Sequence, residues 1–382
     1  MKNLGLSRRS FFAASAALSG GALLGTNAVK ANTGGYSSNP LYGPPVGAAK
    51  LNANENPFGP SPAALKAMVE ATQSGAYYVR ESAQKLRDAI AERHGLSRDH
   101  VMLSSGSSGV LTYLALAATQ QGSILAPDLF WDTTALMGAR NSEFGIKRLP
   151  KNPDLAIDLA AMEQALDDDI SLVHITNPNN PTGSALEASS LRAFCAKASS
   201  KAMVLVDEAY NELTDNPAQS TMIPLVKEGK DVAVARTFSK IYGLAGMRVG
   251  YLIAKPELLE EVGQYGLGDY GLNQAGVAGA LASYTDEVFT HYSKKKIVEA
   301  REMVFDALKQ NGLTALPSQT NFMFVDLGKR DAEKFRAAME KRNVYIRGTY
   351  RDYTNWSRVS MGKITDVQMY IDAIPEALEE IS

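Results

Sequence analysis

The chain has 382 residues, 45% hydrophobic and 21% charged, enough for one large two-part domain or two domains of ordinary size. A formal net charge of −2 gives no reason to expect a nucleic-acid or anionic-membrane partner. Four scattered histidines without metal-ligand spacing argue against a zinc enzyme, and the single cysteine, Cys195, excludes an intrachain disulfide.

At the N-terminus, Ser7-Arg8-Arg9-Ser10-Phe11-Phe12 sets paired arginines before an apolar run over residues 11–24, rich in Ala, Gly and Ser. The run is too short and too weakly hydrophobic to span a bilayer. It resembles a twin-arginine export signal, with small residues for cleavage near Val29-Lys30-Ala31. No cysteine follows the run, which excludes lipid anchoring there. The expectation is a signal over residues 1–31, export by the twin-arginine machinery, a periplasmic location and no stable membrane anchor. The alternative is a cytoplasmic protein whose tail carries two chance arginines.

Residues 32–60, rich in Gly, Pro, Asn and Ser, read as an extended arm. Helices are predicted over 61–74, opened by Ser61-Pro62, and over 83–94. Short apolar runs follow at 101–104, 123–126, 172–176, 203–206, 232–236 and 249–254, separated by helix-length segments. Buried strands in that alternation predict a mostly parallel sheet with helices on both faces. From about Thr290 the rhythm changes. A charged helix (291–310) precedes a strand (321–326), a helix (332–342), strands at 344–347 and 358–361, and a closing helix, which makes a smaller α+β unit. The domain reading is an arm with a small-domain segment (32–75), a large domain (76–289) and a small domain (290–382).

In open α/β sheets ligands sit beyond the carboxyl ends of the strands. After 101–104 comes Ser105-Gly106-Ser107-Ser108-Gly109, then a helical pattern over 110–120. Glycines and small hydroxyls at a helix start expose N–H groups to an anion, although a plain N-cap has the same look. The dinucleotide, P-loop and hydrolase-elbow patterns are absent. After 172–176, Asn177-Pro178-Asn179-Asn180-Pro181-Thr182-Gly183 forms a rigid turn that leaves an Asn amide to donate. After 203–206, Asp207-Glu208-Ala209-Tyr210 sets an acid where a buried strand ends, costly without a positive partner unless it caps a helix. After 232–236, Lys240 stands beside hydroxyls, with glycines and Arg248 following. A buried lysine amine loses its proton and becomes a carbonyl-trapping nucleophile; a solvated lysine is the plainer alternative.

The order and spacing of these motifs resemble fold-type I pyridoxal 5′-phosphate (PLP) enzymes of the class I/II aminotransferase family, over roughly residues 45–375. The histidinol-phosphate aminotransferases look most similar. They share the run from Leu51-Asn52-Ala53-Asn54 to Phe58-Gly59-Pro60, the N-P-N-N-P-T-G turn and the S-K-x-x-G-L-A-G-x-R-x-G run. The resemblance implies an α/β fold, with a mostly parallel seven-stranded sheet flanked by helices plus a smaller α+β domain.

It also implies roles. Lys240 would be the Schiff-base lysine and the acid/base at Cα, and Asp207 would pair with the cofactor's pyridinium nitrogen. Asn180 and Tyr210 would bond its phenolic oxygen, while Ser107, Ser108, Ser239 and Arg248 would hold its phosphate. Arg358 matches the arginine that clamps the substrate's carboxylate or phosphate. Arg347 matches one in the substrate pocket of the histidinol-phosphate enzymes, Asn54 joins the substrate side, and Arg351 is a weaker candidate. Tyr78 matches a tyrosine that crosses a homodimer interface to the partner's cofactor. The sequence departs from the family at Pro127-Asp128-Leu129-Phe130-Trp131, so the ring-stacking aromatic is Phe130 or Trp131.

The implied reaction moves an amino group from an amino donor to a 2-oxo acid. Alternatives that keep the cofactor are a lyase, a decarboxylase or a racemase. A PLP-binding sensor of this fold normally carries a DNA-binding domain, and none is present. Export sits badly with histidinol phosphate as substrate and points to a periplasmic amine.

Overall fold

In a computed structural model, residues 42–140 and 142–382 are described, and residues 47–382 form one compact unit. The twin-arginine motif and its cleavage region lie outside the described residues.

Twelve strands are present among the described residues: β1 (Ala49–Lys50), β2 (Val101–Ser104), β3 (Ser123–Ala126), β4 (Ile146–Arg148), β5 (Ile170–Thr176), β6 (Met203–Asp207), β7 (Val232–Thr237), β8 (Gly250–Ile253), β9 (Thr314–Ala315), β10 (Phe322–Asp326), β11 (Val344–Tyr345) and β12 (Trp356–Ser360). Seven build the main sheet in the order β2-β8-β7-β6-β5-β3-β4. Pairings from β7 through β4 are parallel, and β8 runs antiparallel to both β2 and β7. The expected mostly parallel seven-stranded sheet is therefore present. Every residue of β7 is buried, as are most of β5 and β6, because helices cover both faces of a parallel sheet.

The register aligns the functional ends. Thr176 pairs with Asp207, Asp207 with Ala235, and Thr237 with Gly250, so these strand ends meet at one edge. Because β8 runs backwards, its first residue, Gly250, lies at that same edge and brings Arg248 with it. A Cβ on Gly250 would stand 2.1 Å from the Ser107 backbone nitrogen, so only glycine lets the helix Ser107–Ala118 approach this closely.

The smaller unit joins the two ends of the chain. β12-β10-β9 form an antiparallel sheet, while β1 pairs with β11. The Leu51 carbonyl accepts from Ser360 N at 2.9 Å, which binds the arm to β12 as well. The strand predicted over 344–347 ends at Tyr345. Residues 344–345 pair with β1, and Arg347 then switches sheets, exchanging two backbone hydrogen bonds with Arg358. Helix ends follow their caps. Ser61 Oγ accepts from Ala64 N beside Pro62, and Gly95, at φ +61, closes the helix Glu81–His94. Among the described residues no helix is long and apolar enough to cross a membrane.

Candidate active site

β2 feeds a tight turn. Ser104 Oγ donates to the Gly106 carbonyl at 2.7 Å and accepts from Val110 N at 3.3 Å, steering the chain into the helix Ser107–Ala118. Gly106 caps that helix at φ +70, and a Cβ there would fall 2.1 Å from Arg248 Nη2. Arg248 is itself left-handed, at φ +54, a conformation costly for a side-chain-bearing residue. Its guanidinium donates to Ser108 Oγ at 3.0 Å, to Ser239 Oγ at 3.4 Å and to the Ala245 carbonyl at 3.0 Å. Thr237 Oγ1 donates to Ser239 Oγ at 2.9 Å. Arg248 makes no carboxylate ion pair among the described residues, so a helix N-terminus, hydroxyls and a free cation form one anion cradle.

Lys240 lies beyond β7 and donates to the Asn54 carbonyl at 2.9 Å. Burial, and then the charge on Arg358, push its amine down to about 8. Asp207, at the end of β6, is 4% exposed, and among the described residues its carboxylate accepts only from Ala209 N, at 3.2 Å. Burial pushes its carboxyl up to about 7. Next to it the buried Tyr210 hydroxyl accepts from Asn54 Nδ2 at 2.9 Å and from Asn180 Nδ2 at 3.4 Å, and burial raises the phenol further. Asn54 is held in turn by Ser360 Oγ, which donates to its Oδ1 at 2.8 Å.

Arg358, on β12, is 6% exposed. It donates to Asn180 Oδ1 at 2.8 Å and to the Asn52 carbonyl at 3.2 Å, while its Nε has no hydrogen-bond partner among the described residues. Burial lowers its pKa, and no carboxylate pairs with it among the described residues. Arg347 is exposed and lies 5.1 Å from the Tyr350 ring, which Arg358 also approaches, at 5.3 Å. Arg351 instead pairs with Asp128 Oδ1 at 2.9 Å.

Every candidate residue except Tyr78 lines one cavity of about 560 Å³ at the strand ends. Tyr78 is 78% exposed and packs edge-on against Tyr270, outside the cavity of its own chain. Both Phe130 and Trp131 line the cavity. Phe130 lies edge-to-face with buried His174 at 5.0 Å, its ring also 5.0 Å from the Arg148 guanidinium. Thr176, Thr237 and Tyr350 also line the cavity and were not singled out from sequence. Thr237 opens the run that contains Lys240, a usable signal; Tyr350 sits in a segment with no motif at all.

The donor set suits PLP. A buried carboxylate with no ion-pair partner among the described residues, an anion cradle and a depressed amine in one cavity match a ligand with a basic ring nitrogen, a phosphate and an aldehyde. These features define a PLP-dependent enzyme of fold type I. The comparisons agree. Residues 47–374 match the family model for aminotransferase class I and II. The histidinol-phosphate aminotransferase of Moorella thermoacetica is 31% identical over 335 residues, 86% of this chain and 85% of that protein. The aromatic amino acid aminotransferase of Thermobifida fusca is 33% identical over 314 residues, 80% and 85% of the two chains. The crystal structure of histidinol-phosphate aminotransferase from Sinorhizobium meliloti, in complex with pyridoxal-5′-phosphate, superposes with a TM-score of 0.79 at 29% identity, covering 87% of this chain and 91% of that one. The chain belongs to the class I and II aminotransferase family and is a PLP-dependent transaminase.

Proposed function

We propose that the enzyme transfers the amino group of a small amine bearing an anionic group to a 2-oxo acid, with Lys240 as its catalytic residue. One observation carries this reading: the depressed Lys240 amine shares its cavity with Arg358, a buried cation that has no carboxylate of its own among the described residues. Ser107, Ser108, Ser239 and Arg248 would hold the cofactor phosphate, Asp207 its ring nitrogen, and Asn180 and Tyr210 its phenolic oxygen. Phe130 or Trp131 would cover the ring. Bound PLP supplies an electron-accepting ring that makes the substrate's Cα–H acidic.

Lys240 Nζ would take the proton from the substrate's Cα and deliver it to the cofactor's C4′, and its depressed pKa keeps a neutral fraction available near pH 8. Arg358 orients the substrate's anionic group through charge-assisted hydrogen bonds in a site shielded from water. Asn54 fixes Tyr210 through its amide and Lys240 through its carbonyl, and Arg347 at the exposed rim receives a second anionic group when the substrate has one. Tyr78, exposed on its own chain, would complete the partner's site in a homodimer.

One sequence feature separates this enzyme from a histidine-pathway role in our reading, and another keeps that role in view. The Ser7-Arg8-Arg9-Ser10-Phe11-Phe12 motif supports export by the twin-arginine route and a periplasmic amine as substrate. The Leu51-to-Pro60 run and the similarity to histidinol-phosphate aminotransferases make histidinol phosphate the comparison substrate. Purified enzyme is tested with a panel of amines and amino acids, histidinol phosphate included, by following the cofactor's visible band. Bleaching by several amines, abolished in Lys240→Ala, is expected; exclusive turnover of histidinol phosphate sinks the periplasmic-substrate reading. Replacing Arg8 and Arg9 with lysines should strand the protein in the cytoplasm, and unchanged periplasmic recovery would refute export.

A further inference from the structure

The loop after β3 and the segment 347–353 face each other across the cavity. Leu129, Phe130 and Trp131 line it from the first, and Arg347, Tyr350 and Arg351 from the second. Asp128 joins them. Its Oδ1 accepts from Arg351 Nη1 at 2.9 Å, its Oδ2 accepts from the Tyr353 hydroxyl, and its backbone carbonyl accepts from Arg351 and from Arg148 Nη1 at 3.0 Å. Asp128 is 9% and Tyr353 8% exposed, so their bond forms where water competes weakly, while the Arg351 side chain, 36% exposed, leaves its pair partly open to solvent.

The contacts also explain an odd backbone. Arg351 is left-handed at φ +49, although it carries a full side chain. Such a conformation persists only where surrounding contacts over-determine it. Here a Tyr350–Tyr353 bridge closes the turn, and Tyr350 packs edge-on against Phe324 at 5.8 Å. The Asp128 contacts pin the turn's outer side.

We propose that Asp128 is a positioning and specificity-determining residue. By holding Arg351 and Tyr353 it fixes segment 347–353 over the cavity, and it withholds the Arg351 cation from substrate. Of the arginines on that side, this leaves Arg358 and Arg347 to meet substrate anions, while Arg351 lies within reach of the cavity but is neutralised.

The inference rests on the cavity's being the substrate site, and its test has an arm that needs no substrate. PLP-loaded wild type, Asp128→Asn, Arg351→Gln and the double variant are compared by amide hydrogen exchange over residues 348–353. Each single variant should exchange faster, and because both remove the Arg351–Asp128 carboxylate bond, the double variant should accelerate exchange by less than the two single effects combined. Additive acceleration, or none in Asp128→Asn, overturns the clasp whatever the substrate proves to be.

The second arm is kinetic, comparing singly and doubly anionic amines, with aspartate and phosphoserine in the second group. Asp128→Asn frees Arg351 and should raise the kcat/KM ratio of doubly to singly anionic amines by roughly tenfold, the scale of one charge-assisted hydrogen bond. The change should fall on KM rather than kcat, and the double variant should abolish it. An unchanged ratio in Asp128→Asn overturns the specificity role. So does a loss of doubly anionic turnover in Arg351→Gln alone, which would make Arg351 a direct ligand.

Discussion

Replacing Asp207 by asparagine should stabilise the cofactor-free protein above neutral pH while weakening its hold on PLP. Burial raises the Asp207 carboxyl from 3.8 to about 7. The folded chain therefore binds this proton more tightly than the unfolded chain, and the associated stability is full below pH 4 and lost as pH climbs through 7. Between pH 5 and 7 the loss is two pH units at about 1.36 kcal/mol each, roughly 2.7 kcal/mol. His94 and His174, pushed by burial down to about 3 and about 4, act in the opposite direction below pH 6.5. The difference between variant and wild type cancels them and isolates Asp207. Urea unfolding of both cofactor-free proteins at pH 5 and pH 8 should show the variant gaining roughly 2–3 kcal/mol relative to wild type at the higher pH. The loaded enzyme should respond the other way, losing about 1.5–3 kcal/mol of PLP affinity with the charge-assisted bond to the ring nitrogen. An equal difference at both pH values would refute the buried-carboxylate argument, and unchanged PLP affinity would refute the role given to Asp207.

Other predictions probe the remaining parts of the site. Arg358→Gln should raise KM for amines and 2-oxo acids about tenfold to a hundredfold while leaving PLP affinity nearly intact, because its hydrogen bonds reach Asn180 and Asn52 rather than the phosphate cradle. Gly106→Ala demands a side chain at φ +70 and 2.1 Å from Arg248 Nη2, so PLP binding, followed by equilibrium dialysis, should weaken roughly tenfold or more. Glu208→Gln tests a structural ion-pair triad: Glu208, fully buried, holds Arg236 Nη2 at 2.7 Å while Glu212 holds its Nη1 at 3.1 Å, so Arg236 keeps one partner and the loss should cost about 1–3 kcal/mol in unfolding experiments, with kcat of the folded fraction unchanged.

The central strands were legible because parallel strands buried on both faces leave unbroken apolar runs; 101–104 and 123–126 coincide with β2 and β3. β4 was not, since Ile146-Lys147-Arg148 is a half-exposed edge strand without such a run. Nor was the helix Gln274–Tyr284, whose Ala- and Gly-rich stretch shows little helical periodicity. The residues around Lys240 could be found because backbone chemistry and side-chain chemistry coincide at strand ends, leaving local motifs. Segment 347–353 has neither period nor motif. Asp128, Arg351 and Tyr353 acquire their importance only from contacts across more than two hundred positions of sequence, which no local pattern records. Phe130 and Trp131 could be singled out from their place after β3, but not told apart, since both belong to one loop and both line the cavity.

The pairing of β1 with β11 makes this a site that closes last. Asn54, which anchors both Tyr210 and Lys240, follows an arm whose own partners are Asn343, Tyr345 and Ser360. During synthesis the lysine, the acid and the phosphate cradle can all emerge and pack while Asn54 still lacks its scaffold. Contacts spanning some three hundred residues form slowly, so assembly of the reactive lysine's surroundings waits for the C-terminal segment. The chain thereby keeps its amine loosely held until the whole protein exists, and a product truncated before residue 344 should trap PLP poorly even though every residue proposed to contact the cofactor within the chain is already present.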